Sequence, residues 1–275
     1  MSSTLSISIA AFDPDLAVLR DTVQSLATAL AHARGTGRLG AAKVWIVDNG
    51  PGDRWTAALR DLARNEIAAH AQSDVLAGHG NVGYGRAHNL AIRASDAEYH
   101  LVLNPDVRLD ADAVAEAIGF MQAHPDVVML APQVRDAAGA PQFPCKRYPS
   151  VFDLLLRGFA PQRCRQAFDA RLARYEMRDL PRDSPTLGVP IISGSFMFCR
   201  RAPLAALGGF SDAFFMYFED FDLSLRAKKL GEIAFVPAVR IVHLGGGAAR
   251  KGPRHVAMFA RSALTFFNRH GWKWA

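Results

Sequence analysis

Two groups of acidic residues in this 275-residue sequence could do chemistry, and the first is centred on Asp106. Asp106 ends the apolar run LVLNPD, where Pro105 removes a backbone donor and restrains the turn. Mg²⁺ or Mn²⁺ typically takes one or two protein carboxylates and fills its other positions with phosphate oxygens and water. A single carboxylate here is therefore compatible with a metal–diphosphate site, and also with an ordinary turn or helix cap.

The second group is the segment FEDFDLSLR, which places Glu219, Asp220 and Asp222 within four residues among aromatic side chains. Acids this close in an apolar setting raise one another's proton affinity and lose hydration, which can make a carboxylate basic enough to abstract a proton. The same acids would also favour the positive amino-terminal end of a helix. The residues alone leave both interpretations open.

Two weaker signals accompany these acids. The glycine-rich stretch GHGNVGYG, residues 78–85, precedes a predicted helix, so its backbone N–H groups could approach a phosphate. It contains G-x-G but lacks the dinucleotide-binding fingerprint after the first strand. His243 ends a predicted strand before a run of glycines, which favours an accessible imidazole, although a core or surface histidine is the commoner explanation.

The elements that must position these residues alternate between strands and helices. Residues 5–11, 43–47, 74–77, 99–103 and 127–132 are predicted strands, and predicted helices lie between them. This alternation predicts an α/β fold with a mostly parallel central sheet flanked by helices, in a single compact domain. Ligands of such sheets collect at the carboxyl ends of the strands, where polar clusters at residues 12–13, 48–49 and 104–106 stand.

The second half of the chain is less regular. Residues 143–187 are rich in Arg, Pro and aromatics and are predicted to form an inserted or variable region. Ordered segments return at residues 191–199 and 214–226, followed by strands at 233–237 and 240–243. The single domain, residues 1–275, is expected to divide into residues 1–106 for nucleotide-sugar binding, 107–243 for acceptor binding and catalysis, and a basic helical tail at 244–275.

Composition limits the class of protein. Half of the residues are hydrophobic, enough for a substantial core. The start carries no basic leader, and no stretch approaches the ~18 apolar residues of a membrane span, so we expect a cytoplasmic protein. The three cysteines, too few for a disulfide framework, are expected to be reduced thiols. The tail carries six Lys/Arg and no acid, a charge that could meet nucleic acid, an anionic membrane or an acidic substrate.

Four stretches together resemble the family 2 glycosyltransferases, which have a GT-A fold, and in particular their bacterial rhamnosyltransferase-like branch. They are VDNGPGD (residues 47–53), NVGYGRAHN (81–89), LNPDV (103–107) and the run 194–247 with GSFMFCRR, LGGF, FFMYFEDFDLSLR and VHLGGG. The resemblance covers most of the chain. Its order and spacing make it far more specific than any single motif.

The resemblance implies a role for each group. The nucleotide would be bound at Ala11, Phe12, Asp13, Asp48 and Asn49 around the base, at Asn81, Gly83, Gly85 and Asn89 around the ribose and phosphates, and beside Asn104. Asn104 replaces the first Asp of the family's Asp-x-Asp motif, which leaves Asp106 as metal ligand with His243 completing the shell. The catalytic base maps onto Asp220, and Glu219 would orient the acceptor or tune its neighbour.

The implied reaction is a single displacement that inverts the anomeric carbon. The donor would be dTDP-rhamnose by branch, with UDP- or GDP-sugars also open, and the cofactor a divalent Mg or Mn. The acceptor would be a polysaccharide or lipid-linked glycan. Basic, aromatic-containing regions at 146–182 and in the tail predict peripheral contact with an anionic membrane on its cytoplasmic side, or else simply pack onto the domain.

Three other classes compete with this interpretation. A catalytically silent sugar-nucleotide-binding subunit would need neither base nor metal, and the joint presence of Asp106, Asp220 and His243 argues against it. A nucleic-acid-binding protein would explain the basic tail, but no recognised module is visible, so no nucleic-acid partner is expected. An NAD-dependent oxidoreductase would carry its glycine fingerprint after the first strand.

Overall fold

A computed structural model of the chain describes residues 2–245 and 252–275. The predicted tail at 244–275 includes residues 246–251, with Arg250 and Lys251, which lie outside the described part. The first half contains β1 (Ser3–Ala11), α1 (Leu16–Gly35), β2 (Leu39–Asp48), α2 (Thr56–Glu66), β3 (Gln72–Leu76), α3 (Tyr84–Arg93), β4 (Tyr99–Leu103), β5 (Val107–Leu109), α4 (Ala113–Ala123) and β6 (Val127–Arg135).

The second half has shorter elements before its last strand and helix. They are β7 (Pro141–Gln142), β8 (Cys145–Lys146), α5 (Val151–Phe159), α6 (Gln162–Ala167), α7 (Asp169–Tyr175), β9 (Thr186–Leu187), β10 (Ile191–Ile192), β11 (Phe196–Arg200), α8 (Arg201–Ala206), α9 (Glu219–Ala227), β12 (Glu232–His243) and α10 (Pro253–His270). The three cysteines are free thiols, as predicted.

The central sheet has the order β3-β2-β1-β4-β11-β6-β12-β5. Neighbouring strands from β3 to β4 are parallel, as are β6 and β12, while β11 runs antiparallel between β4 and β6. With helices on its faces, this is the predicted α/β fold with a mainly parallel central sheet. The antiparallel β11 has a consequence for the site, because it brings the loop before Phe196 beside the carboxyl end of β4.

Strand β1 alternates apolar and small polar residues, yet it is buried on both faces. Its polar positions are paired inside the core: the Ser6 hydroxyl contacts His100 Nδ1 at 2.6 Å, and the Ser8 hydroxyl contacts His88 Nδ1 at 2.7 Å and His100 Nε2 at 2.9 Å. Burial lowers the pKa of both histidines to about 3, so they are neutral. The polar half of this alternation therefore marks internal hydrogen bonds rather than a solvent-exposed face.

The structure also corrects several predicted boundaries. The helix predicted between the second and third strands, around residues 55–71, ends at Glu66. The stretch 191–199 is broken into β10 and β11 by a turn at residues 193–195. The two last strands are one, β12, with a register shift against β6 between Val236 and Arg240. The region expected to be variable, 143–187, contains three helices.

The C-terminal helix α10 packs against α9 through both apolar and charged contacts. Phe266 and Phe267 are buried among the aromatic side chains of the 214–221 segment. Asp222, fully buried, accepts from Arg226 at 2.7 Å, and its other oxygen contacts His270 at 2.9 Å. Phe266 and Phe267 of the tail thus form part of the core.

Asp222→Ala should destabilise the protein by about 3 kcal/mol, because it leaves the largely buried Arg226 without the carboxylate that pairs with it. Chemical unfolding followed by circular dichroism measures this. Asp61→Ala is a matched control, since Asp61 pairs with Arg64 on the exposed surface and such pairs contribute about 0.5 kcal/mol. Equal losses in the two variants would contradict the anchoring role of Asp222.

Candidate active site

The sequence-predicted site residues gather at one edge of the sheet, at the carboxyl ends of β1, β2, β4 and β12 and at the start of α9. This edge results from the parallel arrangement, since the loops after β1, β2 and β4 emerge on the same side. The site has a part formed by the loops of the first half, a carboxylate–histidine pair in the middle, and a cavity bordered by α9.

In the first part, Phe12 follows β1 directly and is 53% exposed, so its ring is available for a ligand. Asp13 adopts a left-handed backbone conformation with φ of 44°. Its carboxylate accepts a hydrogen bond from Trp55 Nε1 at 3.1 Å, which fixes the loop after β1. The carbonyl of Ala11 accepts from the backbone N–H of Asn49 at 2.8 Å and so joins the ends of β1 and β2.

The side chains of Asp48 and Asn49 are buried and engaged within the protein. Asp48 accepts from the Thr56 hydroxyl at 2.6 Å. Asn49 donates to Asn81 Oδ1 at 3.3 Å and accepts from the Val82 N–H at 3.0 Å. These bonds connect the turn after β2 to the glycine-rich loop.

A cavity of about 470 Å³ lies beside these loops. It is bordered by Gly52, Asp53, Thr56, Arg60, Ala77, Gly78 and Gly80. The loops of the predicted nucleotide-binding half thus leave an open volume next to Thr56, the residue that holds Asp48.

Gly83, Gly85 and Asn89 allow α3 and the loop before it to pack against residues 210–215. A Cβ at Gly83, whose φ is +90°, would lie 2.3 Å from the Phe215 carbonyl oxygen, and one at Gly85 would lie 2.6 Å from Phe210 Cβ. The Asn89 amide donates to the Phe210 carbonyl at 2.8 Å and accepts from its N–H at 2.9 Å. The structure therefore gives these three residues contacts with the 210–215 segment, through which they position the loop leading to α9.

Asp106 and His243 meet at the end of β4 and β12, with Asp106 Oδ1 at 3.3 Å from His243 Nε2. Asn104 Nδ2 lies 3.4 Å from the same nitrogen, and Gln142 Oε1 lies 3.3 Å from His243 Nδ1. Gly245 is required here, because a Cβ would stand 1.9 Å from Asp106 Oδ2. Two side chains that are 137 positions apart in the sequence are thus brought into contact.

One carboxylate and one imidazole are suitable ligands for a divalent cation that takes its other ligands from phosphate and water. No cluster of three or more His, Cys, Asp or Glu side chains suited to a metal occurs among residues 2–245 and 252–275. The donor set at Asp106 and His243 therefore fits a cation shared with a ligand rather than one held by the protein alone.

Tyr84 was missed by the sequence analysis and joins the two halves of the site. Its hydroxyl lies 2.6 Å from the Gly194 carbonyl oxygen and 2.9 Å from Asn104 Oδ1. Burial, together with Glu219 and Asp220, raises the pKa of Tyr84, so the phenol stays neutral. Its position inside NVGYGRAHN offered no signal that the hydroxyl would reach across the site.

Asp220, in the first turn of α9, accepts from the N–H of Gly194 at 2.9 Å and from the N–H of Phe221 at 2.9 Å. Burial raises its pKa, and these backbone donors oppose the shift. The result is a carboxylate that is held in one orientation and is more basic than an exposed one. A group of this kind can accept a proton.

Glu219 is also buried, and its Oε2 has no hydrogen-bond partner among the described residues. Burial and the neighbouring charge of Asp220 raise the pKa of Glu219 to about 8. At neutral pH Glu219 therefore retains its proton. The two preceding residues, Tyr217 and Phe218, have φ of 70° and 65°, a strained conformation that L-residues rarely adopt.

Asp220 and Glu219 border a second cavity of about 500 Å³. His243 and Gly245 line it from the carboxylate–histidine pair, and Lys146, Arg157 and Tyr175 line it from the 143–187 region. The predicted base and the predicted metal ligand thus face one volume, large enough for a sugar-sized ligand.

Comparison with known sequences identifies a family. The family model described as Glycosyl transferase family 2 matches residues 6–208, more than half of the chain. An N-acetylglucosaminyl-diphospho-decaprenol L-rhamnosyltransferase of Mycobacterium tuberculosis is 29% identical over 212 residues, 70% of this chain. That match covers 66% of the relative's own length, just under two thirds. Rhamnosyltransferase WbbL of Escherichia coli K12 is 26% identical over 66% of this chain and 68% of its own.

Solved structures agree in fold at low sequence identity. GalNAc-T7 with UDP, GalNAc and Mn²⁺ superposes with a TM-score of 0.64 at 15% identity, covering 92% of this chain and 45% of that one. Mannosyltransferase PcManGT from Pyrobaculum calidifontis, in complex with GDP-Man and Mn²⁺, gives 0.60 at 15% identity, covering 96% and 65%. With this GT-A fold and the family match, the chain belongs to glycosyl transferase family 2 and is similar to its rhamnosyltransferases.

Proposed function

We propose that this glycosyltransferase moves rhamnose from dTDP-rhamnose to a hydroxyl of a lipid-linked glycan, with inversion at the anomeric carbon. The observation that carries the proposal is the shared cavity, in which Asp220 and His243 line the same 500 Å³ volume. A proton acceptor for the attacking hydroxyl and a cation beside the departing diphosphate both promote sugar transfer from a nucleoside diphosphate. Their proximity argues against a silent nucleotide-binding subunit.

The acceptor hydroxyl would enter the cavity beside Asp220. Asp220 takes its proton as the oxygen attacks the anomeric carbon, and general-base help of this kind is worth roughly 10²–10⁴-fold. The N–H groups of Gly194 and Phe221 hold the carboxylate in place for this step. Glu219, which is protonated at neutral pH, adds no negative charge beside Asp220.

Asp106 and His243 would hold Mg²⁺ or Mn²⁺, which would supply positive charge to the departing diphosphate. Asn104 would stand beside the nucleotide, oriented by the Tyr84 hydroxyl. Phe12 would stack on the nucleotide base, and the loops that carry Asp13 and Asp48 would surround that base. This arrangement divides the single domain into the proposed donor half, up to residue 106, and an acceptor half.

The choice of substrates rests on the relatives. Both relatives described above are named rhamnosyltransferases, and the mycobacterial one is named for a GlcNAc-diphospho-polyprenol acceptor. The structure adds a cavity with cationic side chains on its 143–187 side, which suits an acceptor that carries negative charge. We therefore place an acidic, lipid-linked glycan in this cavity.

Peripheral contact with an anionic membrane belongs to the same proposal. Among the described residues no helix is long and apolar enough to cross a bilayer. Leu155, Phe159, Phe168 and Trp274 are between 43% and 67% exposed. Trp274 is tied to α5 by the hydrogen bond from the Phe152 N–H to its carbonyl, at 3.1 Å.

These exposed side chains, which we call the aromatic face, adjoin exposed basic residues of α6 and the C-terminus. They are Arg163, Arg165 and Lys273. Apolar side chains beside cations favour an anionic lipid interface. The proposed location is thus the cytoplasmic surface of a membrane that contains the acceptor.

Asp220→Asn should lower transfer at least a hundredfold while dTDP-rhamnose still binds, because the amide keeps the shape and loses the basicity. Transfer is measured with GlcNAc-diphospho-lipid as acceptor, and donor binding by calorimetry. Asp212→Asn is a control on the exposed surface, where Asp212 pairs with Arg86. Near-normal turnover in Asp220→Asn would exclude Asp220 as base.

Glu219→Gln should change the pH dependence of stability. The pKa of Glu219 is about 8 in the folded protein and 4.5 ordinarily, so the folded state holds an extra proton between these values and loses stability as pH rises. The glutamine stays neutral. The melting temperature of the variant minus that of the wild type should therefore increase from pH 5 to pH 8, whereas a constant difference would contradict a buried, protonated Glu219.

A double variant, Phe159→Ala with Trp274→Ala, should reduce flotation with vesicles that contain phosphatidylglycerol at least threefold, because it removes two exposed rings from the aromatic face. Leu230→Ala is the control, since Leu230 is 49% exposed in the turn after α9. Equal flotation of both variants, or flotation of the wild type that does not depend on lipid, would show that the aromatic face does not bind membranes.

A further inference from the structure

Lys146 is a buried lysine in the wall of the 500 Å³ cavity. Lys146 is 5% exposed and lies on β8, opposite Ile191 of β10. Removing an ammonium group from water is costly unless anions or hydrogen-bond acceptors replace the solvent. The reaction described above gives no role to this lysine.

The surroundings of the ammonium group leave it incompletely engaged. Within the described part of the chain, the ammonium group donates a hydrogen bond to the carbonyl of Phe143, and the Tyr175 ring centroid lies 6.0 Å away. A lysine has three N–H donors. Donors therefore remain that a ligand in the cavity can use.

The charges around Lys146 leave a positive surplus. Glu176 is the acid beside it, but Glu176 is bonded to Arg157 at 3.0 Å and to Arg178 at 2.7 Å. Arg178 also binds Asp169 at 2.7 Å. Three cations thus share two carboxylates. Burial, with repulsion from Arg157, lowers the pKa of Lys146 to about 7, so a bound anion would stabilise its charged form.

The lysine also lies at a suitable place relative to the proposed base. Ile191, its partner across the strands, is three residues before Gly194, whose N–H binds Asp220. Three residues span at most about 10 Å even when they are fully extended. Lys146 and Asp220 both line the cavity of about 500 Å³, whose volume can hold a sugar residue between them.

We propose that Lys146 and Arg157 bind the diphosphate that links the acceptor sugar to its lipid. This inference rests on the proposed function and adds the group by which the acceptor is recognised. A diphosphate on the anomeric carbon of the acceptor sugar would lie at the cationic end while a ring hydroxyl faces Asp220. The site therefore selects acceptors by their charged link as well as by their sugar.

The kinetic test compares Lys146→Met with wild type on two acceptors, a short-chain GlcNAc-diphospho-lipid and a neutral alkyl GlcNAc glycoside. The variant should raise the KM for the diphosphate acceptor at least tenfold and leave kcat/KM for the neutral one within twofold. Lys228→Met is the matched control, because Lys228 also donates to a carbonyl, that of Gly188, but on the exposed surface. An unchanged preference for the diphosphate acceptor in Lys146→Met would overturn the proposal.

A second variant, Arg157→Gln, tests the same site if Lys146→Met fails to fold. The Arg157 side chain is 53% exposed, so its replacement should disturb folding little. It should weaken the preference for the diphosphate acceptor in the same direction. An unchanged preference in a folded Arg157→Gln protein would remove Arg157 from the site.

A binding experiment separates this proposal from the proposed function. Inorganic pyrophosphate, added with EDTA so that no metal contributes, should raise the melting temperature of the wild type and of Lys228→Met, but not of Lys146→Met. If the wild type transfers no sugar yet gives this pattern, the reaction is wrong and the anion site stands. Equal shifts in all three proteins, or none in the wild type, would overturn the anion site.

Discussion

The burial of two adjacent carboxyl groups at the start of α9 is the constraint on which the rest of the site depends. Two charges placed side by side away from water would be very costly. The two groups are stabilised in different ways: Asp220 accepts hydrogen bonds from backbone N–H groups, and Glu219 retains its proton. Because one donor is Gly194, the turn between β10 and β11 is needed to hold the Asp220 carboxylate in this orientation. The turn at residues 193–195 therefore both connects β10 to β11 and supplies a hydrogen-bond donor to Asp220.

The aromatic cluster behind these acids holds their strained approach in place. Phe218, with its left-handed backbone, packs against Phe266 and Phe259 of α10, at ring-centroid distances of 5.2 and 5.1 Å. The Tyr217 hydroxyl contacts His255 at 2.7 Å. Strained residues persist only where their surroundings determine them. The C-terminal helix, which the sequence presents as a basic tail, thus supports the geometry of the acids in α9.

The sequence predicts what is local and misses what depends on distant contacts. Apolar runs such as residues 99–103 identify the central strands, and the acids in FEDFDLSLR identify α9. The antiparallel insertion of β11 was not predictable, because the apolar pattern of residues 196–199 does not indicate the direction of a strand in its sheet. The roles of Tyr84 and Lys146 were not predicted either, because they too depend on contacts that are distant in the sequence. Tyr84 meets Gly194 across 110 residues, and a lysine in an Arg-rich stretch suggests a solvated surface until the fold buries it.

Helix α5 connects the proposed acceptor site to the outside of the protein. At about 100° per residue, Leu154 and Arg157 share the face that lines the cavity, while Leu155 and Phe159 fall on the opposite, exposed face. The start of the helix is fixed by the Ser150–Asp153 capping box and by Arg171, which donates to Asp153 at 2.6 Å. A single rigid helix therefore sets the distance between the proposed diphosphate site and the aromatic face. In the proposed orientation, the diphosphate of a lipid-linked acceptor lies on the cavity side of α5 and its apolar chain lies on the exposed side. The acceptor must therefore pass from one side of this helix to the other.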